Sequence, residues 1–520
     1  MHRNQMVSIS RSIVFILVAL NVVILRQAYI GNAQWYWALI VSCPLLLIAL
    51  SDIYQKKHAL IRNYPLIGHI RYLMERIRPE LRQYFFESDL DGKPFSRRSR
   101  SIVYQRAKGE KQTVAFGMQT DPSIPGYEWV SHSLYPVTIP EKDLKVTIGN
   151  SQCLQPYRAS VFNIGAMSFG ALSQTAIAAL NKGACLGGFA HNTGEGGISD
   201  HHLQGGDLIW QIGTGYFGCR DQKGKFHALS FRKNALHPQV KMIELKLSQG
   251  AKPGHGGILP AAKNTPEIAR IRGVVSGTTV HSPARHSAFE NAEGLVEFLQ
   301  LLRELSDGKP VGFKICIGEK QEFIDICQAM FYTGIYADFI TIDGSEGGTG
   351  AAPLEFTDHV GMPLSEALAF AHKTLKFYGL NEHIKIIAAG KIISGFDLLK
   401  AFSLGASVCY SARGMMLALG CIQALKCDSG KCPVGVATQQ PSLYKGLDPQ
   451  DKSVRVASFH QKTIAATLEL MEACGFRGIE DVDPTRFYRR INQWESKSFQ
   501  EIYFSSKEGP LKNSIAHYLN

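Results

Sequence analysis

The chain has 520 residues, 45% of them hydrophobic and 19% charged, which excludes a disordered or fibrous protein and allows at least one large buried core. Its formal charge is +12, with three basic and no acidic side chains in residues 1–50 and fourteen basic against seven acidic in residues 51–111, so ten of the twelve charges lie there. A nucleic-acid enzyme would line its working domain with positive charge; here the remaining four fifths is almost neutral, and no nucleic-acid partner is expected.

Two apolar runs open the chain, Ser12 to Leu25, interrupted only by Asn21, and Trp35 to Leu50, extendable to Tyr54. The first is short for a bilayer of ~30 Å unless Met6 to Ser10 join it with Arg11 snorkelling. A signal peptide is the rival, but Leu25 is followed by Arg26-Gln27-Ala28-Tyr29-Ile30 and a second apolar run, not by a small-residue cleavage site. The two runs predict a transmembrane helical hairpin over residues 1–54. Trp35, Tyr36 and Trp37 fall where an interfacial belt would, and Lys56, Lys57, Arg62, Arg71, Arg76 and Arg78 follow the second run. Both ends, and the catalytic domain, are therefore expected on the cytoplasmic side of the inner membrane. Residues 55–150, with turn-rich pieces such as Asp91-Gly92-Lys93-Pro94, read as a basic connector packing on the next domain.

From about Ala159 the chain alternates short β-branched or apolar runs with helical patterns, the rhythm of a parallel sheet. The expected strands are Val161–Ile164, Gly187–His191, Leu208–Ile212, Met242–Leu247, Val311–Ile317, Phe339–Ile342, Ile384–Ala388 and Ser407–Tyr410. Several end in glycine-rich or charged tips, as the ligand-facing mouth of a (β/α)8 TIM barrel requires. The rival, an open doubly wound sheet, would concentrate such tips at one switch point instead of spreading them over two hundred residues. The barrel is assigned to residues 151–482 and a C-terminal extension to residues 483–520.

Eleven cysteines in a chain facing the cytoplasm do not suggest a disulfide framework. Cys43, Cys153, Cys185, Cys219, Cys316, Cys327, Cys409 and Cys474 are scattered and read as ordinary buried thiols. Cys421, Cys427 and Cys432 are clustered as Cys-x5-Cys-x4-Cys-Pro, which suits a metal cluster on one compact loop. A zinc site would want a fourth ligand, and none is evident; distant His460 is more simply a core or surface histidine.

Five further stretches carry chemistry: Gly165-Ala166-Met167-Ser168-Phe169-Gly170, Asn192-Thr193-Gly194-Glu195-Gly196-Gly197, Gln249-Gly250-Ala251-Lys252-Pro253-Gly254, Gly344-Ser345-Glu346-Gly347-Gly348-Thr349-Gly350-Ala351, and Cys432-Pro433-Val434-Gly435-Val436-Ala437-Thr438-Gln439. In order and spacing, across roughly Asn150 to Val482, they resemble the FMN-binding synthase domain of glutamate synthase. The resemblance implies FMN and a 3Fe-4S cluster on Cys421, Cys427 and Cys432. It also implies an oxidoreductase of the class acting on CH-NH2 donors, in which 2-oxoglutarate is reductively aminated to glutamate and the imine is reduced by the flavin.

It further implies cofactor contacts at Met167, Ser168, Gln211, Lys314, Asp343, Gly347, Gly348, Thr349, Gly390, Arg413 and Gly414, and catalytic roles for Glu195, Lys252 and Arg272. The residue types agree. Glycines at 347, 348, 390 and 414 would let backbone amides approach a phosphate, and Lys314 could stabilise an anionic reduced flavin unless it forms a salt bridge in the barrel core. Glu195 and Lys252 lie on loops where a charged side chain has reach, and Arg272 could clamp a carboxylate at two points.

One stretch departs from the family. After the lysine the family reads Glu-Gly-Gly-Gln, whereas this chain has His255-Gly256-Gly257-Ile258, so a polar substrate contact is replaced by an apolar side chain. Neither a glutaminase domain nor a dinucleotide fingerprint is recognised. Electrons are expected from a donor protein, a ferredoxin or an NAD(P)H-oxidising subunit, and ammonia free or from a glutaminase partner. The other functional class is a membrane flavin and iron-sulfur electron-transfer module with a different acceptor.

Overall fold

The structure, a computed structural model, describes residues 2–31, 33–140 and 144–505, with side chains from Ser12 onward. The last fifteen residues of the expected C-terminal extension lie outside the described residues. The chain divides into two compact units, Met1–Arg97 and Arg98–Asn520. The expected connector of residues 55–150 is thus split, its first part belonging with the N-terminal helices.

In the first unit, helices α1 (His2–Tyr29) and α2 (Tyr36–Tyr54) are joined by a short turn and pack on each other. Ser12–Tyr29 and Ala33–Tyr54 are long and apolar enough to cross a membrane by length and composition. Asn21, the one polar interruption of the first run, is buried against α2: Ser42 Oγ donates to Asn21 Oδ1 at 2.9 Å, and Asn21 Nδ2 donates to the Leu17 carbonyl at 2.8 Å. A buried amide must find such partners, so this polar residue fixes how the helices meet. Helix α3 (Ile67–Leu81) follows, and a π-helical turn, Arg82–Phe86, continues it.

In the second unit eight parallel strands close into a barrel: β1 (Phe162–Ile164), β2 (His191–Asn192), β3 (Leu208–Ile212), β4 (Val240–Lys246), β5 (Val311–Ile315), β6 (Phe339–Asp343), β7 (Lys385–Ala389) and β8 (Val408–Ser411). Each strand pairs with its neighbours in sequence, and β8 closes on β1. This is the predicted (β/α)8 fold. Strand residues are buried on both faces, because helices cover the outside and side chains fill the inside, which is why the runs read as continuous rather than alternating hydrophobics.

The second strand was placed too early. Helix Gln174–Gly187, capped by Ser173 Oγ on the Ala176 amide, runs through the expected strand start and stops at Gly188, whose φ of 66° is the left-handed helix stop favoured by glycine. The barrel floor is closed by an antiparallel pair, Lys145–Ile148 with Tyr157–Ser160. Their Ile148 and Ala159 join Ile209, Met242, Phe339, Ile387 and Val408 in one buried cluster. Each fully buried Ile or Phe of this kind contributes roughly 1.5–3 kcal/mol.

Helix Pro449–Cys474 packs on Gln174–Gly187, where a Cβ on Gly183 would lie 2.8 Å from Val456. His460 on that helix stacks on Phe189 at 4.0 Å and meets Ser160 Oγ at 2.9 Å; burial pushes its imidazole down to about 3, so it is a neutral core histidine. Residues beyond 482 are partly integral to this unit, since Phe487–Arg490 pairs with Glu128–Val130 and with Ser496–Ser498. Five of the eight scattered cysteines are buried as expected, Cys153 is half-buried, and Cys43 and Cys185 are exposed.

Candidate active site

The predicted site residues gather at the C-terminal ends of the barrel strands or on the loops that follow them. A partly open pocket lies there, lined among others by Glu195, Lys246, Gln249, His255, Gly256 and Gly257. Its floor is an ion pair: Lys246 Nζ lies 2.9 Å from Glu195 Oε1. Burial alone would raise the Glu195 carboxyl, but Lys246, then Arg272 and Lys252, hold it below the usual carboxylate range. Two glycines make room for this carboxylate. A Cβ on Gly213 would stand 2.4 Å from Glu195 Oε2, and one on Gly257 2.7 Å from Oε1.

Lys252 and Arg272 are both buried and engaged. Lys252 Nζ donates to the Gly256 carbonyl at 2.8 Å and lies 3.4 Å from that of Ala351. Burial and the neighbouring Lys246 lower its pKa. Arg272 ends helix Pro266–Arg272, donates from Nη2 to the Phe169 carbonyl at 3.1 Å and stacks over Phe217. Its Nε is buried without a hydrogen-bond partner, and burial pushes the guanidinium down to about 10. Ile258 is not part of the pocket lining; it pairs with His281 in a small hairpin of Ile258–Leu259 and Val280–His281.

Lys246 is the functional residue the sequence reading missed. Its signal was present in β4, where Glu244 and Lys246 stand two residues apart, hence on one face of a strand whose only other charged residue is Lys241 near its start. Glu244 is fully buried inside the barrel and accepts from Asn192 Nδ2 and Gln211 Nε2, each at 2.7 Å, and from Thr341 Oγ1 at 2.6 Å. Charge-assisted hydrogen bonds of this kind offset much of the cost of burying a carboxylate. His286, with Nε2 2.9 Å from the Lys246 carbonyl and Nδ1 3.0 Å from the Tyr216 hydroxyl, buttresses the strand end.

Lys314 forms the ion pair that was its alternative role, 3.1 Å from Asp343 Oδ2, which also accepts from the Gly250 amide at 3.0 Å. Burial would depress Lys314, but Asp343 and Glu244 raise it above the ordinary lysine value, so it stays charged. On the opposite rim Arg413 donates to the Glu346 carbonyl, and a Cβ on Gly348 would lie 2.6 Å from Arg413 Nη1. Gly347 and Thr349 share that loop, while Gly390 and Gly414 follow β7 and β8. Met167 and Ser168 follow β1 and back onto Gly194, where a Cβ would meet the Ser168 amide at 2.6 Å. The donor set fits FMN: two cations, Lys314 and Arg413, the Gln211 amide, and glycines whose missing side chains leave backbone open to a phosphate.

The cysteine loop adjoins this rim. A Cβ on Gly350 would touch Cys427 at 3.1 Å, and Lys263 Nζ donates to the Cys427 carbonyl at 2.6 Å. Tyr104 donates its hydroxyl to the Cys421 carbonyl at 2.7 Å. Burial first, and then the neighbouring thiols, raise Cys421 to about 11, so the three sulfurs share one locality. Among the described residues no group of three His, Cys, Asp or Glu side chains is gathered as a single metal ion would hold them.

The family model described as the conserved region in glutamate synthase matches residues 137–477. The glutamate synthase large subunit-like protein YerD of Bacillus subtilis is 38% identical over 81% of this chain and 88% of its own length. The archaeal glutamate synthase (NADPH) of Methanocaldococcus jannaschii is 37% identical over 62% of this chain, a match spanning 60% of its length. The glutamate synthase (NADPH) large chain of Bacillus subtilis is 34% identical over 62% of this chain, but only 20% of its own length is matched. The matched segment contains the whole barrel and the cysteine loop, and it supports FMN as the barrel's cofactor. A chain whose barrel, charged mouth and glycine-rich rims all fall within that region belongs to the glutamate synthase family of oxidoreductases.

Proposed function

We propose that the barrel converts a 2-oxo dicarboxylate and ammonia into an amino acid, with 2-oxoglutarate giving glutamate. The observation that carries this reading is the charge of the buried site. Lys246, Lys252 and Arg272 all act on one carboxylate, Glu195, so the cations outnumber the acid they share three to one. Buried charge of that size is costly unless it is compensated, and a dianionic substrate compensates it.

A bound FMN would supply the electron pair for reducing the carbon-nitrogen double bond. Lys252 and Arg272, now bonded to the carbonyls of Gly256 and Phe169, hold the substrate carboxylates. Glu195 orients the Lys246 ammonium, whose Nζ carries the proton closest to the pocket floor. The 249–252 loop abuts Gly344 so tightly that a Cβ on Gly250 would stand 1.8 Å from the Gly344 carbonyl, which keeps water from that side.

Cys421, Cys427 and Cys432 hold a 3Fe-4S cluster in this reading, and the approach of Cys427 to Gly350 supports electron entry beside the rim of Gly347 and Gly348. Electrons come from a ferredoxin or an NAD(P)H-oxidising subunit, and ammonia is free or arrives from a glutaminase partner. α1 and α2 span the inner membrane, with the barrel on the cytoplasmic face. Exposed Phe15, Ile16, Val23, Trp37, Ile40 and Leu47 support this anchor, since water would not favour such a surface.

Glutamate formation from 2-oxoglutarate and ammonia, driven by a chemically reduced one-electron donor, tests the activity. If flavin turns over with another acceptor and no glutamate forms, the chain is instead an electron-transfer module. Cys427→Ala should strip iron from the purified protein, and metal analysis finding zinc and no iron would sink the cluster. Removing residues 1–54 should release a soluble flavoprotein, and a protease added outside intact cells should leave the barrel uncut.

A further inference from the structure

α3 and the turn after it show an apolar face to solvent. Ile67, Ile70, Met74, Ile77 and Leu81 recur at three- and four-residue steps, and Leu73, Tyr84 and Phe85 fall on the same side of a 3.6-residue helix. Phe85 and Phe86 are 76% and 79% exposed, and Ile67, Ile70, Leu73, Met74 and Tyr84 are also exposed. The arc beside this face carries Arg71, Arg78 and Arg82, all largely in water, with Glu75 3.7 Å from both Arg71 and Arg78 and Glu87 4.0 Å from Arg82.

We propose that Ile67–Phe86 lies in the surface of an anionic bilayer, with its apolar arc among the acyl chains and Arg71, Arg78 and Arg82 on lipid phosphates. The proposal rests on the membrane reading of α1 and α2 and extends it to a segment that does not span. Two observations select this occupant. The charge beside the apolar arc is net positive, three arginines against Glu75, as phosphate headgroups favour. The helix also begins at the end of the spanning segment: Asp52, buried in the last turn of α2, accepts from the Leu66 amide at 2.9 Å and from His69 Nε2 at 2.8 Å. That carboxylate holds Leu66 at a φ of 63°, an uncommon conformation that turns the chain sharply out of the hairpin and into α3. A second copy of the helix is the other occupant, and the experiment below separates it from lipid.

Full-length protein carrying Phe85→benzoylphenylalanine is reconstituted in nanodiscs containing phosphatidylglycerol, irradiated and analysed for adducts; Phe15→benzoylphenylalanine reports the hairpin in parallel. Lipid adducts at both positions are expected. The yield at residue 85 should fall about fivefold or more when Arg71→Glu and Arg78→Glu are added, or when the discs contain only phosphatidylcholine, while the yield at residue 15 holds. Lipid adducts at residue 15 with none at 85 overturn the interfacial helix and leave the hairpin standing. Chain-to-chain adducts at 85 overturn it in favour of helix pairing. No adduct at either position overturns the membrane reading and this proposal with it.

Discussion

The barrel mouth and the N-terminal unit break the usual rule of burial in opposite directions. At the mouth, Glu195, Lys246, Lys252, Arg272, Lys314 and Asp343 are ionisable side chains withdrawn from water, with Lys246 within 2.9 Å of Glu195 and Lys314 within 3.1 Å of Asp343. In α1, α2, α3 and the π-helical turn after it the reverse holds, and large apolar side chains such as Phe15, Trp37 and Phe85 stand in solvent. In the reading proposed above, the mouth takes an anionic ligand and the helices an apolar surface, so each anomaly marks a candidate contact with something other than water.

The largest effect should come from breaking the pocket's ion pair. Lys246→Met leaves Glu195 buried without its nearest cation and should cost about 3–5 kcal/mol, read as a drop in the thermal unfolding midpoint together with loss of glutamate formation. Lys252→Ala should weaken 2-oxoglutarate use by about 1.5–3 kcal/mol in kcat/KM, since it removes the cation bonded to the carbonyl of pocket-lining Gly256. An unchanged kcat/KM would move the substrate away from this loop.

Acid should sharpen the same comparison. Because the folded Glu195 carboxyl titrates below its unfolded value, its stabilisation is full above the ordinary glutamate range and is lost as pH falls through the lowered folded value. The unfolding midpoint should therefore drop in that acid window, and the drop should be smaller in Glu195→Gln. In the other region, Asn21→Ala removes the polar pair with Ser42 and should cost about 0.6–2 kcal/mol of helix association, measured by denaturant unfolding in detergent. The smallest effect belongs to Ile258→Gln, which should change turnover within about ±0.5 kcal/mol, because a partly exposed hairpin residue outside the pocket lining has little to lose.

Local order sufficed to predict the barrel, because each strand of a parallel barrel is a separate apolar run followed by its own helix, and seven of the eight runs fall where strands form. The displaced strand shows the limit: Gly187 and Gly188 end a helix, and a glycine pair after an apolar run reads equally well as a strand entrance. The two apolar N-terminal runs, the glycine tracts and the cysteine spacing were equally legible, each being a property of contiguous residues. Pairings were not. That Lys246 rather than Lys252 reaches Glu195, that Gly213 and Gly257 leave room for the carboxylate, and that Asp52 grips Leu66 and His69 depend on which side chains converge from separate elements. Convergence is set by barrel closure and helix packing, so only the tertiary structure could decide it.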